Sequence, residues 1–372
     1  MTTRERMTAI LDGKAPDRIP WIPRIELWYR ARQLAGDLPD RWKDFSLRQL
    51  EDDLFGATAA RGGSIFKIKY DGIDVVRTQE GDTETTEYRT PVGSVRTVQR
   101  ISDELKRMGL PGRVEEELLK GPSDYRVWEY VVEHTNWDAS FDTFLAYDEK
   151  IGADGFPMVA IGDVPFHEFV QKLAGYNDAF YQIADYPDEV DHLLRTMQEV
   201  QKDRMWPIAL ESPAKLLLAG VHLSSQFTPP QFFEKYIIPY CRELFPLLHN
   251  KGKRVAMHAD NDTSQIAKLL EDAGWDMLEC FVTAPMVPMT IEKARQVWGT
   301  RMILWGGIPS AILAPSYPFE SFTTNVKSTF KAIGKGDAVI LGVADNVMPD
   351  SDITRVKWIT DYVDSHGWYP VN

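Results

Sequence analysis

The chain has 372 residues, 44% of them hydrophobic and 26% charged, a balance that supports a large buried core in a soluble globular protein. Its 55 Asp and Glu outnumber 42 Lys and Arg, and the net charge of −13 argues against nucleic acid or an anionic membrane as the main partner. Cys241 and Cys280 are the only cysteines, so there is no disulfide framework and a reduced, cytoplasmic setting is expected.

The opening stretch MTTRERMTAILDGKAPDRIP carries charges every few residues and no long apolar run, which predicts neither a signal peptide nor a membrane anchor. Residues 19–27 and 64–69 are short and apolar and read as strands. Between 71 and 102 the pattern turns antiparallel, with strands expected at 74–79, 85–90 and 93–98 around the turn Thr90-Pro91-Val92-Gly93. No Gly/Ser/Pro linker flanks this section, so it reads as an insertion within one domain spanning 1–372.

From about residue 157 short apolar runs alternate with longer amphipathic segments, the pattern of parallel strands joined by crossover helices. Strands are expected at 157–162, 215–220, 254–258, 275–280, 301–305 and 338–342. Thr228, Pro229 and Pro230 mark the start of a helix that carries Phe232 through Leu248 at helical spacing, stops at Gly252 and is expected to kink at Pro239. The next helix starts near Asp262 or Thr263 and ends at Gly274, and two more follow at about 319–333 and 352–365. With the two N-terminal strands this makes eight, and the fold class expected is α/β, a TIM (β/α)8 barrel with an N-terminal β-rich insertion.

In such a barrel the residues that finish each apolar run face the site. They are Asp163, His222, His258 and Asp260, Glu279 and Cys280, Trp305, and Asp345 with Asn346. His222, His258, Glu279 and Cys280 are zinc-compatible donors from three strands, and a catalytic zinc needs three such ligands and one open position. Glu279 and Cys280 are adjacent, so an extended strand would point them to opposite faces. Each of these residues has a plainer account as well: a helix cap, a loop hydrogen bond or, for Cys280, packing. Trp305, followed by Gly306 and Gly307, suits a flat wall beside backbone that approaches a ligand, or a tight turn with a core Trp. Arg24 either pairs with Glu26 or positions a substrate carboxylate or hydroxyl.

These residues, set in RIPWIPRIELWY, FTPPQFFEKYIIPY, GKRVAMHAD, GWDMLECF, LWGGIPS and ILGVADNVMPDSD, resemble the uroporphyrinogen decarboxylase superfamily over most of the chain. That superfamily, a TIM-barrel family, also contains corrinoid-dependent methyltransferases. True decarboxylases carry an Arg-Gln-Ala-Gly-Arg signature that grips propionates; the nearest stretch here is Arg32-Gln33-Leu34-Ala35-Gly36-Asp37, with an inserted Leu and an Asp in place of the second Arg. Thiol-methylating members show His-x-Cys and a late Cys where this chain has Asp260 and Asp345. WIPRIELWY, the TPVG turn and the pairing of HAD with GVADN look like the substrate-side component of corrinoid O-demethylase systems.

The resemblance implies transfer of a methyl group from a methoxylated, aromatic small molecule to the Co(I) of a corrinoid carried by a partner protein. It implies either a zinc held by His258 and Glu279, with His222 as a further candidate ligand, or Asp260 or Asp345 as proton donor, and it puts Arg24, Asp163, Trp305 and Asn346 around the substrate. A homodimer is compatible with it. The alternatives left open are a uroporphyrinogen decarboxylase-like decarboxylase and a non-catalytic ligand-binding barrel.

Overall fold

The computed structural model describes residues 1–108, 110–222 and 224–371. The chain divides into two compact units, one made of residues 64–142 and 163–213, the other of 1–63, 143–162 and 214–372.

The first of these holds β1 (Phe66–Tyr70), β2 (Asp74–Glu80), β3 (Thr83–Thr90), β4 (Gly93–Arg100), β5 (Arg113–Glu116) and β6 (Thr135–Ala139). β2 to β5 form a four-stranded antiparallel sheet in sequence order. Pro91 and Val92 make the two-residue turn between Thr90 and Gly93, where the Thr90 hydroxyl donates to the Gly93 carbonyl at 2.8 Å and accepts from the Val92 amide at 3.2 Å. The three expected hairpin strands are present, each extended by a residue or two, and β5 is a fourth, too polar and short to stand out in the sequence.

The stretch expected as a barrel strand at 64–69 is placed differently: β1 pairs antiparallel with β6, Phe66 opposite Ala139. Its Lys67, Ile68, Lys69 and Tyr70 are exposed, a pattern that a strand buried on both faces cannot carry.

The other unit holds β7 (Met158–Gly162), β8 (Leu216–Val221), β9 (Arg254–His258), β10 (Met277–Phe281), β11 (Ile303–Pro309) and β12 (Val339–Ala344), paired in parallel in that order. These are the six runs expected from the sequence. Met158, Leu216, Leu218, Ala256, Met277, Ile303, Trp305 and Ile340 meet in one buried cluster. Six strands laid flat would separate their edges by roughly 24 Å at the usual ~4.8 Å spacing, so side chains from all six can share one cluster only if the sheet curls. Met7, Ile10 and Leu11 of the helix Thr3–Leu11 belong to the same cluster.

Short pairings extend both edges. Trp21 bridges Leu341 of β12 in parallel, and Arg61 bridges Met158 of β7 in parallel. The N-terminal strand expected at 19–27 is thus reduced to a bridge. Pro20 and Pro23 have no amide hydrogen to donate, and the helix Glu26–Ala35 begins where the strand was expected to end. Residues 60–62, not 64–69, occupy the position beside β7, with the Met158 amide donating to the Ala60 carbonyl at 3.0 Å. Among the described residues no pairing joins the two edges, so hydrogen bonds do not close the barrel.

The helices follow the expected spacing with two local differences. Before Pro239, which cannot donate to the Lys235 carbonyl, the backbone widens into a π turn at Phe233–Ile237, and the α-helix resumes over Ile238–Asn250. The helix expected from Asp262 begins at Ala267, because Asp262 holds Ser264 in a side-chain turn: its Oδ1 accepts from the Ser264 amide at 3.0 Å.

Candidate functional site

β8, β9 and β10 run side by side with Val221 opposite His258 and His258 opposite Glu279, so the residues finishing these strands arrive together. His222, His258, Asp260, Glu279, Cys280 and Asp345 form one connected group. The structure brings together all the metal-ligand candidates named from the sequence.

Cys280 resolves the adjacency problem. It is the extra residue of a bulge between Glu279 and Phe281 and has φ 58, a left-handed backbone. The bulge turns its side chain back toward its neighbour, and Sγ lies 3.1 Å from Glu279 Oε1 and 3.0 Å from Asp345 Oδ1. His222 is left-handed too, with φ 55, at the end of β8. Non-glycine residues in this region carry strain of about 1–2 kcal/mol each, and both lie where the side chain has to be re-aimed.

His258 is central. Its Nδ1 lies 2.5 Å from Glu279 Oε2, and its Nε2 lies 3.6 Å from both Asp260 Oδ2 and Asp345 Oδ1. A carboxylate can only accept, so Nδ1 carries the proton toward Glu279, and Nε2 lies on the side of the two aspartates. His222 Nδ1 is 2.6 Å from Asp260 Oδ2. Two sets of three donors can therefore gather around a cation: His222, His258 and Asp260, or His258, Glu279 and Cys280.

Nδ1 of His258 is nearest Glu279 and Nε2 is the nitrogen near Asp260, so the Glu279 contact favours the first set. With a cation held there, Glu279 would be the carboxylate that orients the bound histidine. The second set also needs a thiolate, and burial, with Glu279 and Asp345 adding to it, pushes the Cys280 thiol well above its ordinary pKa. In the first set burial alone would raise Asp260, but the His222 hydrogen bond and the nearby imidazoles hold it below the usual value, ionised as a ligand must be.

Two arginines balance the carboxylates. Arg24 Nη1 donates to Asp345 Oδ1 at 2.5 Å and to Cys280 Sγ at 3.2 Å, while Glu26 pairs with Arg30, so the Arg24–Glu26 pair weighed from the sequence does not form. Arg61 Nη1 stands 3.5 Å from Glu279 Oε2. Sequence reasoning missed Arg61, which sits in a loop before Gly62 and Gly63 rather than at the end of an apolar run. Asn346 Nδ2 donates to Asp345 Oδ2 at 2.9 Å.

One expected substrate residue lies in the core. Trp305 is 3% exposed in the core cluster, its Nε1 donating to the Ile22 carbonyl at 3.2 Å. Its neighbour Gly306 (φ 147) has no room for a side chain, because a Cβ there would lie 2.6 Å from the Phe281 amide and carbonyl. The β10 backbone accounts for that glycine. Asp163, the residue after β7, has Lys172 Nζ 2.7 Å from its Oδ2. The remaining histidines have local partners: His249 Nε2 meets Asp276 Oδ2 at 2.8 Å, and His134 Nδ1 meets the Tyr130 carbonyl at 2.8 Å.

A curled parallel α/β sheet with a His/Asp/Glu cluster at its strand ends defines an α/β protein of the barrel type with a polar strand-end site. Residues 154–366, more than half of the chain, match the family described as Uroporphyrinogen decarboxylase (URO-D), and the chain belongs to that family. Among solved structures it is similar to a methyltransferase from Methanosarcina mazei, with TM-score 0.56 and 16% identity over 98% of this chain and 99% of that one. A weaker overlay, on a pneumococcal structure described for inhibition of the virulence factor StrH and for N-glycan recognition and hydrolysis, has TM-score 0.31 and 9% identity over 98% of this chain and 86% of that one. No curated protein matches the chain. No described helix is long and apolar enough to cross a membrane.

Proposed function

We propose that the chain is a methyltransferase of the barrel type that takes the methyl group of a methoxylated aromatic and passes it to the Co(I) of a corrinoid carried by a partner protein. The observation that carries this reading is the grouping of His222, His258 and Asp260, with Glu279 2.5 Å from Nδ1 of His258 and Nε2 on the side of Asp260. Two imidazoles and one carboxylate fit a catalytic zinc with an open position, and His222, His258 and Asp260 would hold it. When bound there, zinc supplies a Lewis acid for the ether oxygen or a neighbouring hydroxyl. The likeness to a methyltransferase from Methanosarcina mazei supports the same kind of chemistry.

The chain's own groups do the rest. Arg24 and Asn346 hold the two oxygens of Asp345, aiming that carboxyl across the strand ends. As the methyl carbon leaves, the C–O electron pair stays on the departing oxygen, which takes its proton from water, and Asp345, held as an acceptor by Arg24 and Asn346, is placed to orient that water. Arg61 and Glu279 fix the ring of His258 from behind.

A methoxybenzene panel, a reduced corrinoid protein and zinc, incubated with the chain, should give the methylated cobalt absorption. No transfer across the panel sinks the substrate class. Metal analysis of the purified protein decides the zinc separately.

The family description favours a second reading, decarboxylation of a porphyrinogen or smaller acid. Against it stands the stretch where a second propionate-gripping Arg belongs: Asp37 is there, and it pairs with Arg32 at 2.8 Å. Counting product carboxylates after incubation with uroporphyrinogen separates the two.

A further inference from the structure

At the opposite end of the same strands lies a pocket of about 430 Å³, large enough for a small organic ligand. Lys215 stands just before β8, and Lys253 and Arg254 stand at the entry to β9; all three line it, with Asp12 as the one acid. In a chain of net charge −13, three cations around one cavity are a local reversal of sign.

The cations are built in. Lys253 is 2% exposed and donates to the Ala214 carbonyl at 2.8 Å. Arg254 Nε donates to the Leu11 carbonyl at 3.0 Å, and its Nη1 pairs at 3.1 Å with Asp276, which also takes His249 at 2.8 Å. Asp12 is already tied to Lys14 at 3.3 Å. Lys215 has no ion pair among the described residues, so its charge faces the cavity's contents or water. Gathered like charges repel, and an anion lying between them removes that cost. Leu11 and Phe156 line the same pocket and give it an apolar wall.

We propose that this pocket binds a phosphomonoester of a small organic molecule, its phosphate among Lys215, Lys253 and Arg254 and its apolar body against Leu11 and Phe156. A phosphomonoester carries about −1.5 to −2 charge near neutral pH and accepts through three oxygens, which matches several donors better than a single carboxylate does. The inference does not rest on methyl transfer, because no residue of the strand-end group takes part.

Calorimetric titration of the full chain with phenyl phosphate tests it, with inorganic phosphate and benzoate as separate arms. Saturation at one site is expected, tightest for phenyl phosphate, with Lys215→Glu weakening it about tenfold or more, a loss of about 1.4 kcal/mol. Lys215→Met should weaken it less, and Arg24→Ala, at the other end of the sheet, should leave it unchanged. Lys215 is exposed and its one described hydrogen bond, from the Arg254 amide, uses the backbone carbonyl, so its side-chain variants should fold. No saturation, equal binding of benzoate, unchanged affinity in Lys215→Glu, or loss in Arg24→Ala would each overturn the assignment.

Discussion

Glu279 is buried and Glu168 partly buried, one in each compact unit, and each has cations and carboxylates for neighbours. Burial alone would push both carboxyls up. At Glu279, His258, Arg61 and Arg24 more than offset that and hold it well below the usual range. At Glu168 burial wins: the pKa rises to about 7, with Lys172 pulling it down and Asp163 pushing it up. Lys172 is already 2.7 Å from Asp163, so its ammonium is shared between two acids. Listing neighbours is therefore not enough to assign charge; what decides it is how many cations are left over for each carboxylate.

The strand-end side of this comparison should show the largest effect. On the proposed function, His258→Ala removes the one ligand whose second nitrogen is anchored, and with it the transition-state stabilisation of a bound metal. That is several kcal/mol, so activity should fall on the order of a thousandfold, with zinc content dropping in parallel. Retained activity without zinc would leave proton transfer alone as the mechanism.

Glu168→Gln should act in the other direction, on stability. A carboxyl whose pKa rises from 4.5 unfolded to about 7 folded binds the extra proton in the native state between those values. Its stabilising contribution is complete below pH 4.5 and is lost as pH climbs through 7, after which the penalty is constant. Gln does not titrate, so the variant should gain on the parent across that window and be up to about 3 kcal/mol more stable at pH 8. Urea midpoints at pH 4 and pH 8 check this. Equal gains at both would mean that the glutamate is not protonated in the fold.

Glu279→Gln tests the remaining cations. Gln keeps a hydrogen bond to His258 but loses the charge facing Arg61, so metal affinity or activity should drop about 10–100-fold, as for other outer carboxylates. Metal titration followed by activity separates the two.

The sequence shows why these regions differ in how readily they are read. All six parallel strands were visible because each is an unbroken apolar run, and their polar last residues named His222, His258, Asp260, Glu279, Cys280 and Asp345 together. Arg61 was not visible, since it enters through a single bridge to Met158 in a loop with no periodicity. Nor was the turn at Cys280, because an unbroken run gives no sign of a bulge; only the room left at Gly306 hints at it. Asp163 follows β7 as His258 ends β9, and both are visible on the same grounds. The neighbour of Asp163, Lys172, nine residues on, is what sets it apart, and contacts that far along a chain are not periodic.

Asp163→Asn is the smallest change and the one that can break the comparison. Lys172 keeps 56% of its side chain in solvent, so loss of this ion pair should cost at most about 1 kcal/mol. The informative readout is elsewhere. With the competing charge gone, the Lys172 ammonium is free for Glu168, whose pKa should move down toward 4.5, narrowing the pH window over which Glu168→Gln gains. A window that stays put would show that burial alone sets Glu168. Activity gives the second reading: a change within about threefold, ~0.7 kcal/mol, keeps Asp163 with Glu168 and Lys172, whereas a hundredfold loss would return it to the substrate.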